Sequence, residues 1–217
     1  MRYRSRSIES SEELNIWPAF TDLMSNAFMI LVLLLSLALI KPLIEKSLSK
    51  TPTGVPPILV IEDEGAYRFA SGSAEIPPQM HAYIRNKIVP EIERNTKKYR
   101  INVVELIGHT DGQANGGGTS NLDEDLEKVA NGQKSVSNLH SGSNADLGLM
   151  RALAVVRLLR DLQTKNGRLK GLKFRAYSAA QLILPNGNFA SVNRNSDASR
   201  RRIEIRFTRL GESIQVK

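Results

Sequence analysis

Residues 100–112 read RINVVELIGHTDG. The apolar, β-branched run from Ile101 to Ile107 predicts a strand. The polar Gly108-His109-Thr110-Asp111-Gly112 that follows predicts a loop carrying a carboxylate just past the strand end. Downstream, ADLGLMRALAVVRLLRDLQTK predicts a long helix, capped by Asn144 and ended by Gly167 and Gly171. Leu149, Leu153, Val156 and Leu159 recur at helical spacing and give its buried face. Upstream, ILVI (58–61) predicts a short buried strand, and GAYRFASGSAEI (65–76) alternates before turning at Ser71-Gly72-Ser73. Pro77-Pro78 opens a helix-like stretch to about Tyr99, which Pro90 kinks or splits. GLKFRAYS (171–178) and RRIEIRFTRL (201–210) predict two more strands. In the last, Ile203, Ile205 and Phe207 share one face, and Arg202, Glu204 and Arg206 the other. The expected order is strand, strand, helix, strand, helix, strand, strand. It predicts an α+β domain over residues 58–212, a mixed sheet with helices on one face.

Residues 112–143 interrupt that pattern. They are rich in Gly, Ser and Asn, and too long for a structureless loop in a compact domain. They read as an insertion with a short helix at LDEDLEKVA (122–130). Their low apolar content predicts little contribution to the core.

Ahead of the domain, residues 16–40 read IWPAFTDLMSNAFMILVLLLSLALI. As a helix this run is about 37 Å long, against a hydrocarbon core of about 30 Å. It is longer than a signal-peptide core, and no A-x-A-like site follows it, so it predicts one uncleaved span. Residues 1–15 form a polar tail. Residues 41–57, with Pro42, Pro52, Pro56, Pro57 and Gly54, read as a linker with a plug-like segment. Asp22 is the only ionisable side chain in the span. An acid inside a membrane is a proton- or ion-relay candidate. The plainer alternative is a carboxylate at headgroup level that caps the helix beside Thr21.

Composition narrows the function. No cysteine is present among the 217 residues, which excludes disulfides, thiolate catalysis and Cys-based zinc sites. The net charge is +8, but the basic residues are dispersed, and Arg200, Arg201 and Arg202 lead into a strand. Direct nucleic-acid binding is therefore not expected; a basic exterior equally suits an anionic polymer such as a cell wall, or lipid headgroups. Arg2, Arg4 and Arg6 precede the span and Lys41, Lys46 and Lys50 follow it, so charge does not orient it. His109 and Asp111 suggest a metal or a hydrolase, but His81 and His140 are not at ligand spacing, and no nucleophile–base set stands out. Neither an enzyme, a metal nor a cofactor is expected.

Gly108-His109-Thr110-Asp111, then Asn144-x-x-Leu147-x-x-x-Arg151-Ala152, then Arg201-Arg202-Ile203-Glu204 form an ordered set. Together with Phe69 to Ile76, this set resembles the peptidoglycan-binding domain of the OmpA/MotB family. Trp17 and Asp22-Leu23-Met24, followed by one span, resemble the B subunits of flagellar-motor-type stators. The resemblance implies a non-enzymatic, single-pass inner-membrane protein, with the N-terminus cytoplasmic and the domain periplasmic. It implies that Asp111 takes the ammonium, and Arg151 the carboxylate, of a diaminopimelate-type stem peptide. Asn144 and Leu147 would line that pocket, and Arg201 or Arg202 would border it. Asp22 would carry a translocated cation, H+ or Na+. Two copies would sit inside a five-copy ring of a MotA-like partner.

Departures from the pattern are informative. The gap from Asp111 to Asn144 is longer than the family's usual bridge. Gly148 stands where Ser is common, and Ser196-Asp197 where Gly-Arg is common. Leu23-Met24 after the acid, the short tail and the insertion look closest to the B subunits of Zorya anti-phage defence systems. A flagellar stator subunit and a passive membrane-to-wall tether are the alternatives. Without the resemblance, Asp111 reads as a loop cap and Arg151 as a solvated helix residue.

Overall fold

The computed structural model describes residues 16–48, 54–115, 118–211 and 215. The polar tail at 1–15 lies outside them. The chain divides into two compact units, residues 1–51 and 52–217.

The first unit holds one helix, α1 (Trp17–Leu48). Its Trp17–Pro42 portion, 26 residues, is long and apolar enough to cross a membrane. The helix does not stop at Ile40 as the sequence suggested. It runs through Pro42 into the stretch read as a linker. A proline removes one backbone hydrogen bond, but Leu43, Glu45, Lys46 and Leu48 are strong helix formers and the helix resumes. Its polar side chains bond locally. The Thr21 hydroxyl donates to the Trp17 carbonyl and the Ser36 hydroxyl to the Val32 carbonyl, each at 2.8 Å. The Asn26 amide stands 3.5 Å from the Asp22 carboxylate.

The second unit is an α+β domain. Its strands are β1 (Leu59–Glu62), β2 (Val103–His109), β3 (Lys173–Ala180) and β4 (Arg202–Thr208), ordered β1-β4-β2-β3. β4 is antiparallel to both β1 and β2, while β2 and β3 are parallel. Its helices are α2 (Pro78–Tyr83), α3 (Val89–Tyr99), α4 (Leu122–Ala130) and α5 (Asn144–Asn166). A wide π-helical turn at Ile84–Ile88 joins α2 to α3. Pro90, which lacks an N–H and crowds the preceding turn, falls just beyond it.

One sheet face is buried. Ile61, Val104, Leu106, Ile203 and Ile205 pack with Met80, Ile84 and Ile92 of the first helical segment and Val155 and Leu159 of α5. The period-2 alternation of β4 puts its apolar residues on this side and its charged residues on the other. α5 sits close to β2 because two glycines meet there. A Cβ on Gly108 would collide with the Gly148 carbonyl, and one on Gly148 with Ser178 and the Gly108 carbonyl.

Three expectations need correction. Residues 65–76 are not a strand; a 3-10 turn (Gly65–Tyr67) is followed by irregular chain. Their backbone groups bond side chains of the site below instead of a neighbouring strand. Ser143, not Asn144, caps α5, its hydroxyl accepting from the Asp146 N–H at 3.2 Å. The insertion is not peripheral. Leu122, Val129 and Leu139 are buried against Ala74, Met150, Leu153 and Ala154, forming a second core on the far side of α5.

Candidate functional site

β1 and β2 end, and β4 begins, at one edge of the sheet, where α5 also starts. Asp63 follows β1, Asp111 follows β2, Arg201 precedes β4, and Asn144, Leu147 and Arg151 lie on the first two turns of α5. These six residues line one open pocket with Arg68, Phe69, Thr110, Gln113 and Asn115. It has about 100 Å³ of room inside.

Two carboxylate–guanidinium pairs dominate it. Arg151 Nη1 donates to Asp63 Oδ2 at 2.9 Å. Its Nε and Nη2 donate to the Ser73 and Ala70 carbonyls at 3.0 and 3.3 Å. The guanidinium also lies 4.9 Å from the centre of the Phe69 ring. Asp63 Oδ1 accepts from the Phe69 N–H at 2.6 Å. In the second pair, Arg201 Nη1 donates to Asp111 Oδ2 at 2.7 Å and to the Ser196 hydroxyl at 3.1 Å. The N–H groups of Asp197 and Gln113 add a bond at 3.1 Å to each Asp111 oxygen. The pairs are adjacent, with Arg201 Nε 3.8 Å from Asp63 Oδ2. Asn144 donates to the Gln113 carbonyl at 2.9 Å and ties α5 to the loop after Asp111.

Burial works against the charge on Asp111, but the bonds from Arg201, Asp197 and Gln113 outweigh it and hold its carboxyl below the usual range. Burial lowers Arg151, with Asp63 opposing and the charges of Arg201 and Arg68 adding to the drop. A guanidinium stays protonated through such a shift.

The structure thus brings Asp111, Asn144, Leu147, Arg151 and Arg201 together. It does not bring Arg202. Successive residues of an extended chain point to opposite sides, and Arg202 turns to the outer sheet face. There it is buried, donating to Glu204 at 2.7 and 2.9 Å and to the Leu184 carbonyl at 3.2 Å. His109 packs beside it, its Nε2 3.4 Å from Glu204 Oε1, and burial followed by the charge of Arg202 lowers its pKa. Arg151 also differs from expectation, being buried and paired. Asp63 and Arg68 were missed. A lone acid after a four-residue strand gives only a weak signal, and Arg68 none.

No family model matches the chain, and no curated protein matches it significantly. Solved structures give distant likenesses. The periplasmic domain of Helicobacter pylori MotB is 19% identical, over 71% of this chain and 82% of that one, with a TM-score of 0.39. A protein from Desulfovibrio vulgaris described as MotB-like is 18% identical, over 70% and 75%, with a TM-score of 0.41. The cell wall anchor of the T6SS from Pseudomonas aeruginosa is 20% identical, over 69% and 80%, with a TM-score of 0.36. At this level of likeness the function rests on the site's own residues.

Proposed function

We propose that the pocket grips the zwitterionic end of a peptidoglycan stem peptide. On this reading the chain is the wall-anchored, single-span B subunit of an ion-driven, stator-like complex in a bacterial inner membrane. The observation that carries the reading is the pocket itself, an open cleft whose wall sets two carboxylates and two guanidiniums side by side. A ligand bearing one ammonium and one carboxylate can be met by both signs at once. The ammonium lies against Asp111. The carboxylate reaches Arg151, which has spent three of its five N–H groups on Asp63, Ser73 and Ala70. Arg201 borders both, and Leu147 packs on the aliphatic stem between them.

The span supplies the second half. Asp22 on each of two copies accepts and releases a proton or sodium ion. One charge crossing 100 mV releases about 2.3 kcal/mol, and the change in charge alters what the helix can face in a five-copy MotA-like ring. The wall-bound domain holds the pair still, as torque requires. The domain is periplasmic and the N-terminus cytoplasmic. The Phe20 to Asn26 stretch and the insertion favour a Zorya-type defence complex over a flagellar one. Its gene neighbourhood, a helicase or nuclease against a chemotaxis cluster, separates the two.

Sedimentation of the detergent-solubilised full chain with purified sacculi tests the wall-binding half. Wild type co-sediments. Asp111→Asn, nearly isosteric, keeps its fold by circular dichroism and loses about tenfold in affinity, the scale of one charged hydrogen bond. Wild-type binding by Asp111→Asn and by Asn144→Ala would sink the assignment.

A further inference from the structure

The two pairs do not account for all the charge in the pocket. Three guanidiniums line it, Arg68, Arg151 and Arg201, against two carboxylates, Asp63 and Asp111. Arg151 is matched to Asp63 and Arg201 to Asp111. Arg68 is exposed, and among the described residues no carboxylate lies within ion-pair distance of it. It is nonetheless part of the pocket's field, since its charge works with that of Arg201 against protonation of Arg151. A ligand with one ammonium and one carboxylate is neutral and leaves this positive charge uncompensated.

Position says where the missing negative charge would lie. Arg68, Phe69 and Ser71 line both the pocket and a neighbouring groove that continues past Ser73, Glu75 and Ile76 to Pro77 and Pro78. Arg68 therefore stands where a peptide would leave the pocket, with its charged end seated inside. Glu75, further along the groove, repels an anionic group that runs beyond Arg68 and favours one that stops there.

We infer that Arg68 is a specificity-determining residue that reads a second carboxylate on the stem peptide, so that the site selects wall peptides whose free carboxylates are not amidated. The inference rests on the wall-binding reading above. Arg is suited to the task because its planar fork meets a carboxylate through two parallel N–H bonds.

Calorimetric titration of the full chain in detergent tests it with two synthetic ligands. One is the tripeptide L-alanyl-γ-D-glutamyl-meso-diaminopimelate. The other is the same peptide with its two carboxylates outside the zwitterionic end converted to amides. Wild type prefers the free acid by about fivefold, as expected of one exposed ion pair, and the preference shrinks as salt is raised. Arg68→Gln binds the two peptides within about twofold of one another. Binding without preference in wild type, or a preference that survives in Arg68→Gln, overturns the role of Arg68 and leaves the wall-binding reading standing. Failure of wild type to bind either peptide or sacculi overturns both.

Discussion

Arg151 and Asp63 lie 88 positions apart in the chain and 2.9 Å apart in space, and both are buried. The pair fastens the second turn of α5 to the end of β1, while the Ser73 and Ala70 carbonyls fasten the intervening loop to the same guanidinium. Removing one partner of a buried pair leaves an uncompensated charge, at about 3–5 kcal/mol. Arg151→Ala therefore lowers stability by that amount, read as a fall in the thermal midpoint of the full chain in detergent. Combining Arg151→Met with Asp63→Asn recovers part of the loss, because the buried charge is gone and Asn still accepts from the Phe69 N–H. Loss of wall binding in Arg151→Ala alone is then no measure of ligand contact.

Helix α5 rests on β2 through Gly108 and Gly148. A methyl on Gly108 meets the Gly148 backbone, which cannot step aside without moving the helix. A methyl on Gly148 first meets the Ser178 hydroxyl, and then the Gly108 carbonyl at 2.9 Å. Gly108→Ala should cost more than Gly148→Ala, each within or above the 1–3 kcal/mol of about one overpacked group. Ser178→Ala should recover part of the loss in Gly148→Ala and none in Gly108→Ala. Equal costs for both glycines, in thermal melts of the four variants, would show that the helix shifts freely.

The segment between Asp111 and Asn144 carries its own anchor. Leu122 and Leu139 are 6% and 5% exposed, packed over Met150 and Leu153. Leu122→Ala and Leu139→Ala should each cost about 2–5 kcal/mol, the usual range for a buried leucine. Deleting 114–142 should unfold the domain or drive it to aggregate by baring the outer side of α5. A deletion that melts within a few degrees of the parent would return the segment to the status of a surface loop.

His109 sets a pH dependence of opposite origin to an ordinary ion pair. It faces Glu204, Arg202 and Arg206 on the outer face of the sheet, and burial lowers its pKa in the folded protein. The unfolded chain therefore takes up the proton first, at about pH 6.5. Stability is fully present above that pH and declines as pH falls through it. Asp111 and Glu204, both held below the ordinary carboxylate range, lose their contribution only below about pH 4. Melts between pH 8 and 3 should show two descending limbs. His109→Gln should flatten the upper one and spare the lower; an unchanged upper limb in that variant assigns it to another group.

Much of the fold could be read from local pattern. β2, β4 and α5 carry strong periodic signals, and Gly167, at φ +63, ends α5 where a glycine was expected to. The site was legible where residues sit next to a strand end or a helix start, as with Asp111, Asn144 and Leu147. Two things were not. The Asp63–Arg151 pair is a long-range contact that no local period encodes, and it turned 65–76 from an apparent strand into a loop around a guanidinium. The insertion's apolar residues are too few to register in composition, yet Leu122, Val129 and Leu139 point the same way. Arg202 is a different kind of miss, since the alternation already noted in β4 places it opposite Arg201.

Asp22 is the only ionisable side chain between Trp17 and Ile40, and the Asn26 amide, one turn on, stands 3.5 Å from its carboxylate. Asp22→Asn nearly preserves shape and hydrogen-bonding capacity and removes the ability to cycle a charge. It should leave membrane abundance and co-purification with a partner unchanged while abolishing phage protection, or torque if the complex is a flagellar one. Asp22→Glu restores the titrating group on a longer stem and should recover part of the activity. A passive tether has no use for the acid, so full activity in Asp22→Asn would select that reading. Loss of abundance together with activity in Asp22→Asn, but not in Asp22→Glu, would assign the carboxylate to assembly instead of ion transfer.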